Sequence, residues 1–493
     1  MKTAVPDAPK FIPRGIAIAI GIMFISVLGV LLVNYSPEKS NPGFDEPWYM
    51  GLASSGWLSV SSGQTGTYHA AKSMPFLVFR AIFGGVVGDA ADYSTLAPYF
   101  LLFNALCLFL ACIAVAKILQ HLGKGDLIVS ALILMIVTKA FLVFYDYYPI
   151  LGDVFVFALG AALAYGVVLR RLSVQYAVLA VSAITSPQLC LFALLIIIFP
   201  NSPTPVKSNE RTLLSPLLFA ALVAFPIICA ASAIFLVPER TVAVAEWWGN
   251  PKYFKQPAVV IAAVALAGIV LWAAALPARM LTLQSVACSI SWRHILFSVL
   301  LLSLIAAIVS KSLGASGPTI GIPSVVDALL IKFSYLLSKP GPPGLLSHIL
   351  FLGVAAAAVI VVWRDFSRWL VLQGSGVALG FAVMLTYFGL DGEVRHVIFL
   401  YPLIVVGLID ICSARIRKIG PVKLFVANAL VSLSWLPFFY FDASYRGERH
   451  LSAFGMCWSL QHYVIAIIMS AMTFYLAWRW FRPSVIIGTS VSA

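Results

Sequence analysis

Apolar runs of about 20 residues, separated by short polar breaks, follow one another along almost the whole chain. Each run is long enough for a helix to cross a bilayer core of roughly 30 Å. The runs are continuous, without the two-residue alternation of a membrane β-barrel strand. The pattern predicts helical spans near 15–34, 97–118, 126–145, 151–169, 172–185, 188–199, 213–236, 257–276, 294–312, 344–363, 369–389, 396–414, 422–440 and 459–478. The runs at 172–185 and 188–199 are short, and Pro187 between them leaves open a single helix kinked there. The expected fold class is all-α: a polytopic transmembrane helical bundle of about 13–14 spans. Without an internal repeat, it reads as one membrane domain over residues 1–493. Two breaks are long, 35–96 and 313–343. Each holds an amphipathic stretch, Pro75 to Val87 and Val325 to Leu337, of the kind that lies along a membrane surface.

Composition narrows the class. Hydrophobic residues make up 61% of the chain and charged residues 10%. Soluble domains carry about 25% charge, so a soluble globular protein is excluded, as is a disordered one. Lys and Arg number 32 against 19 Asp and Glu, a formal charge of +13. Among membrane spans such an excess marks the cytoplasmic side before it suggests nucleic acid, which is not expected as a partner. With the N-terminus inside, the inner breaks collect Arg170 and Arg171, then Arg415, Arg417 and Lys418, then Arg479 and Arg482. Both termini are therefore expected in the cytoplasm, with membrane lipids around the bundle. A single helix over 172–199 would turn the last two clusters outward, against the rule. The first run is too long for a signal-peptide core and reads as a true span. The seven cysteines lie mostly within apolar runs and form no CxxC pair. Neither a disulfide framework nor a zinc site is implied.

Acidic residues are few, so their positions carry information: charge at or near membrane depth is costly and often functional. Asp45 and Glu46 follow the first span in Gly43-Phe44-Asp45-Glu46-Pro47-Trp48-Tyr49. Asp153 opens the fourth span, after Tyr147-Tyr148-Pro149-Ile150-Leu151-Gly152. On the predicted topology both groups face the outer side. A partly dehydrated carboxylate suits general-base work. The plainer readings are a solvated loop pair for Asp45 and Glu46, and a helix N-cap for Asp153. His69 and Lys72 lie in the same long loop. Lys72 can hold a phosphate as a point charge, or snorkel to headgroups. Lys139 lies deeper, in the third span. Glu393 and Arg395 belong to a tight outer turn, Asp391-Gly392-Glu393-Val394-Arg395-His396. Arg395 can grip an anion through two N–H groups or pair with Glu393 or Asp391. Asp45, Glu46 and Asp153 offer oxygen ligands suited to Mg²⁺ or Mn²⁺. The segment Glu246 to Tyr253 carries Trp247 and Trp248, which suit an interfacial aromatic belt or a sugar-stacking surface.

Taken together these groups resemble the GT-C glycosyltransferases, polytopic enzymes that use lipid-phosphate sugar donors. The branch they resemble most is that of the protein O-mannosyltransferases and aminoarabinose transferases. The family's acidic pair with a following aromatic matches Asp45-Glu46 and Tyr49. Its His/Lys-Pro-Pro-Leu segment matches His69, Lys72 and Met74-Pro75-Phe76-Leu77, with Met74 in place of the first proline and Ser73 inserted. The aspartate opening the fourth span matches Asp153. The late Glu-x-Arg-Tyr turn matches Glu393-Val394-Arg395-His396, with His396 replacing the tyrosine and Pro402 retained. The likeness covers about residues 10–200 and 385–405. It implies a GT-C-like bundle whose first outer loop carries interfacial helices. It also implies transfer of a sugar from a polyprenyl phosphate to a lipid, glycan or protein acceptor at the outer face. Asp45 would be the general base, Glu46 and Asp153 would orient substrates or hold a metal, and Lys72 and Arg395 would stabilise the departing phosphate. Such a chain suits a bacterial inner membrane with a periplasmic site. A secondary transporter, a lipid-linked polysaccharide polymerase or ligase, and a non-catalytic scaffold are the competing classes. Transporters are commonly built from repeats with helices broken near mid-membrane, and no repeat is evident in this chain.

Overall fold

The computed structural model describes residues 46–56, 72–89, 92–141, 149–200, 268–313, 343–387, 394–433 and 460–482, with the single residue Ala224. Among them all regular structure is helical. In chain order the main elements are α1 (Glu46–Ser55), α2 (Met74–Val87), α3 (Tyr93–His121), α4 (Ile128–Ile136), α5 (Asp153–Val168), α6 (Leu172–Ser182) and α7 (Pro187–Ile198). They are followed by α8 (Trp292–Leu313), α9 (Pro343–Val361), α10 (Trp363–Gln373), α11 (Ser375–Tyr387), α12 (Tyr401–Ile419), α13 (Pro421–Leu433) and α14 (Leu460–Phe481). A 3-10 segment, Val394–Leu400, leads directly into α12. The expected spans at 15–34 and 213–236 and the stretch 325–337 lie outside the described residues.

Four helical stretches are long and apolar enough to cross a membrane: Tyr93–His121, Trp292–Val309, Arg395–Ile419 and Tyr463–Phe481. Of the other expected runs, 151–169, 172–185 and 188–199 lie close to α5, α6 and α7, and two regions differ from the expectation. The run at 126–145 is interrupted: α4 stops at Ile136 and a short turn, Lys139–Phe141, follows. The runs at 344–363 and 369–389 were expected to nearly meet, but α10 intervenes and bends 91° away from α9. Its amphipathy explains the turn. Phe366, Trp369 and Leu370 are buried, while Arg364 and Arg368 are exposed. At 172–199 the chain forms two helices packed on one another, not one kinked helix. Pro187 is the first residue of α7 behind the N-cap Ser186, a position where its missing N–H costs nothing.

The core is built from stripes that the sequence spaces at helical intervals. Phe76 and Phe79 of α2 meet Phe100 and Phe103 of α3, and all four are fully buried. Phe79 stacks on Phe100 with ring centroids 3.8 Å apart, and Phe103 stacks on Phe155 of α5. The start of α3 is fixed by Asp92, which accepts from the Thr95 N–H at 2.9 Å and from the hydroxyls of Thr95 and Ser94. Those hydroxyls, Thr95 first, hold its carboxyl down at about 2. The cap is therefore intact at any pH above the ordinary carboxylate range and is lost only as pH falls through about 2. Helix α12 is the central element, with 72% of its most apolar window buried, whereas the corresponding window of α8 is 6% buried.

Two helices break inside the bundle. In α9, Gly353 has φ 65° and ψ −146°, which releases the Val354 N–H and the Leu352 carbonyl from the helical ladder. Asn428 of α13, fully buried, accepts from Val354 N at 2.9 Å and donates to the Ile133 carbonyl at 3.3 Å. The Tyr401 hydroxyl lies 2.5 Å from the Leu134 carbonyl and 2.6 Å from the Leu352 carbonyl. Ser432 donates to the Val137 carbonyl, where α4 ends. Only glycine fits at 353, because a Cβ there would come within 2.7 Å of Asn428 Oδ1. Asn428→Leu is expected to destabilise the protein by about 1–3 kcal/mol for each backbone group it orphans. Thermal unfolding of the detergent-solubilised variant tests this, and a midpoint equal to wild type would mean another group takes over both hydrogen bonds.

The bundle has two chemically different ends. Arg417 pairs with Asp126 at 2.6 Å, Lys124 donates to Ser413 at 3.1 Å, and Arg415 donates to the Phe481 carbonyl. Arg170 donates to the Gln373 carbonyl at 2.6 Å. These contacts gather the C-terminal ends of α3, α12 and α14, and of α5 with α10. The opposite ends of α5 and α12 begin at Asp153 and beside Arg395.

Candidate functional site

At that opposite end a single cavity collects residues from five chain segments. It is lined by Tyr49, Lys72, Pro75, Leu151, Gly152, Asp153, Val156, Thr185, Ser186, Gln188, Arg395 and His396, and forms a half-open cleft of about 40 Å³. Each wall has a local cause. Asp153 is the first residue of α5, and Gly152, not Asp153, occupies the N-cap position. The N-cap role expected for Asp153 is thus corrected. Gly152 has φ 77°, a conformation that favours glycine, and a Cβ there would sit tightly, 3.2 Å from Pro75 Cγ. As the first helical residue, the Asp153 carboxylate lies at the positive end of the α5 dipole.

Lys72 lies one residue before the N-cap Ser73 of α2, which has Pro75 in its first turn. The Met74 N–H donates to the Ile184 carbonyl at 3.0 Å, tying this entry to the turn between α6 and α7. Tyr49 comes from α1 and is 2% exposed; its ring stacks on Phe76 with centroids 4.5 Å apart and planes 9° apart. Arg395 and His396 ride on the 3-10 segment ahead of α12. That segment is held against α5 at Gly160, where a Cβ would lie 2.2 Å from the Phe399 carbonyl oxygen. Lys72, Asp153, Arg395 and His396 each take part in further contacts of their own.

Of the residues singled out in the sequence, the structure brings Lys72, Asp153 and Arg395 together, with Tyr49 and His396 beside them. Asp45, His69 and Glu393 lie outside the described residues. Glu46 is described only in its backbone, which opens α1. The aromatic segment 246–253 also lies outside. For the metal set Asp45, Glu46 and Asp153, only the Asp153 side chain falls among the described residues. Among those residues no three acidic, His or Cys side chains gather.

The third wall was not anticipated. Thr185 and Ser186 belong to the turn that joins α6 to α7, and Gln188 is the second residue of α7. They carry no charge, and their signal was only a polar interruption, Thr185-Ser186-Pro187-Gln188, between two short apolar runs. The cavity therefore offers two cations, one carboxylate, an imidazole and a neutral hydrogen-bonding wall. Such a set can hold an anionic group and a hydroxyl-rich group side by side. Comparison with protein-family models, with curated proteins and with solved structures finds no match to the chain.

Proposed function

We propose that this protein is an integral-membrane glycosyltransferase of GT-C type that moves a sugar from a polyprenyl-phosphate donor to an acceptor. One observation carries the reading. Lys72, Asp153 and Arg395, far apart in sequence, line one cavity at the end of the bundle remote from the basic clusters. Reading the basic end as cytoplasmic by the positive-inside rule turns the cavity outward, in keeping with a bacterial inner membrane and cytoplasmic termini as part of this proposal. Donors at that face are carried by lipids, and apolar grooves between helices suit a polyprenyl chain.

The reaction is a direct displacement. Asp45 takes the proton from the acceptor hydroxyl or amine. The freed lone pair bonds to the anomeric carbon as the bond from that carbon to the phosphate oxygen breaks. The electron pair leaves with the polyprenyl phosphate, and the configuration inverts. Lys72 and Arg395 stabilise the charge that develops on the leaving phosphate. Asp153 and Glu46 orient the sugar or the acceptor. The helix that bears Tyr49 on the cavity wall begins one residue after Asp45. Asp45, Glu46 and Asp153 are the oxygen donors that would hold a Mg²⁺ or Mn²⁺, which would help to offset charge on the leaving phosphate; no step of the displacement is routed through one.

The runner-up, a secondary transporter, would draw on the broken helices α4 and α9. The backbone groups released there are taken by Asn428, Tyr401 and Ser432 inside the bundle, which favours a structural role. The reading is tested with labelled polyprenyl-phosphate sugars supplied to purified membranes and with binding of sugar-free polyprenyl phosphate in nanodiscs. Wild type is expected to transfer label, and Lys72→Ala and Arg395→Ala are each expected to weaken carrier binding about 10-fold, the usual worth of a charged hydrogen bond. Absence of both carrier binding and transfer in folded wild type would reject the enzyme.

A further inference from the structure

The basic end of the bundle carries an arginine that no acceptor among the described residues satisfies. Independently of the glycosyltransferase reading, we infer that Arg279, with Trp272 on its own helix and Arg364 on the adjoining α10, binds the headgroup phosphate of an anionic phospholipid in the leaflet at that end.

Arg279 closes the helical turn Leu276–Arg279, which continues the helical residues 268–274. The Ala275 N–H donates to the Leu271 carbonyl and the Arg279 N–H to the Ala275 carbonyl, so 272 and 279 lie two turns apart on one face. The Arg279 side chain folds back along that face, as long helical side chains do, and its Cζ stands 4.2 Å from the centroid of the Trp272 ring. An indole ring attracts the charge but supplies no conventional acceptor for the N–H groups. Among the described residues no carboxylate pairs with Arg279, and its Nη1 is sealed from water without a hydrogen-bond partner. An unsatisfied donor on a charged group is costly. Arg279 as a whole is half-buried, so a turn of its side chain brings the guanidinium fork to an arriving oxyanion.

The surroundings favour a lipid over a dissolved anion. On the same side of the helix Ile269 is 64% exposed and Trp272 49%, and Trp292 at the start of α8 is 74% exposed. Large apolar side chains open to the outside and ending at an arginine are the profile of a helix that passes from hydrocarbon into the headgroup layer. The end in question is the basic one. The Trp363 indole N–H donates to the Ala273 carbonyl at 2.7 Å, which fastens this helix to the start of α10, and Arg170 holds the other end of α10 through the Gln373 carbonyl. Helix α10 packs on Leu276–Arg279 and exposes Arg364 and Arg368. Asp365 pairs with Arg368 at 3.3 Å, which leaves Arg364 and Arg279 with no acid of their own among the described residues. Two guanidinium groups on adjoining helices, next to exposed indole, complement a phosphodiester of net negative charge. A choline headgroup brings its own ammonium against them and is disfavoured.

The test uses the full-length protein in detergent micelles and resolves the first bound lipid by native mass spectrometry, with phosphatidylglycerol, phosphatidylcholine and inorganic phosphate as probes. Wild type is expected to bind phosphatidylglycerol about 10-fold more tightly than phosphatidylcholine. Inorganic phosphate at equal concentration is expected to leave it bound, because phosphate brings no chains to lie against Ile269 and Trp272. Arg279→Gln is expected to weaken phosphatidylglycerol binding about 10-fold, and Arg364→Gln about 5-fold. Lys423→Gln removes an exposed charge at the start of α13, at the same end but off this surface, and is expected to change the affinity by less than about 2-fold. Equal affinity of wild type for the two lipids overturns the site, as does an Arg279→Gln protein that binds phosphatidylglycerol like wild type. A loss in Lys423→Gln as large as in Arg279→Gln assigns the attraction to diffuse charge and overturns it too. Displacement by inorganic phosphate would make the occupant a dissolved anion and reject the lipid. Should Arg279→Gln not fold, Arg364→Gln is set against Lys423→Gln, and equal affinities of those two overturn the site.

Discussion

Transfer by Asp45→Asn is expected to fall by about 10²–10⁴-fold, the usual contribution of a positioned general base. The substitution keeps the shape of the side chain and removes only its capacity to take a proton. Binding of sugar-free polyprenyl phosphate should be unaffected, because the cations proposed to hold the phosphate, Lys72 and Arg395, come from other segments. Asp153→Asn should act differently. Asp153 stands inside the cavity at the start of α5, and losing its charge is expected to raise KM for the sugar donor with a smaller change in kcat. The two variants are compared by steady-state kinetics with one labelled donor. Equal activity of Asp45→Asn and wild type would take Asp45 out of the chemistry. A fall in carrier binding that matches the fall in transfer would move Asp45 from proton transfer to substrate holding.

The second large effect is expected far from any charge. Gly160 faces the backbone of Phe399, and an added Cβ would stand 2.2 Å from its carbonyl oxygen and 2.6 Å from its Cα. Neither atom belongs to a flexible side chain, so the strain cannot be relieved by a rotamer change. Gly160→Ala must move α5 away from the 3-10 segment Val394–Leu400. Asp153 stands on the first of these elements, and Arg395 and His396 stand on the second. The cavity therefore widens between its carboxylate and its guanidinium. Overpacking of this kind costs about 1–3 kcal/mol, and a displacement near 1 Å lowers catalysis about 100-fold. Thermal unfolding and transfer activity should both fall in this one variant. Full activity with unchanged stability would show that the contact between α5 and the segment tolerates a methyl group.

Much of this architecture is legible in the sequence because apolar length is a strong signal. The expected runs 97–118, 151–169, 294–312 and 459–478 coincide with α3, α5, α8 and α14 to within a few residues. What was hidden has physical causes. Helix α10 disappeared between two spans because its buried face, Phe366, Trp369 and Leu370, is as apolar as its neighbours. The break at Gly353 left no trace, since a glycine in an apolar run looks the same whether the helix continues or stops. Asn428 and Tyr401 are polar groups whose partners, Ile133, Leu134, Leu352 and Val354, lie on other helices and are backbone atoms. No side-chain pattern announces a carbonyl. In the cavity, Lys72, Asp153 and Arg395 stood out as rare charges, whereas Thr185 and Gln188 are neutral and common. That they line the same cavity as those charges appears only in three dimensions.

Helix α8 differs in kind from α12, although both have the length of a span. It is secured near its start, where the Ser291 N–H donates to the Ile198 carbonyl, His294 Nδ1 lies 3.2 Å from the Ile197 carbonyl, and Phe297 meets Tyr176 edge-on. Beyond that anchor Leu300, Leu304 and Ile308 are exposed. For the buried residues of α12, from Tyr401 to Ile409, shape complementarity with neighbouring side chains sets the energy. For most of α8 the energy is a matter of partition, the preference of a side chain for hydrocarbon over water. Exchanging one aliphatic residue for another along its outer face is then nearly silent, while a single carboxylate there carries the full transfer cost. One polypeptide thus contains a helix set mostly in its own interior, α12, and another, α8, whose length and open apolar face fit it to cross a membrane.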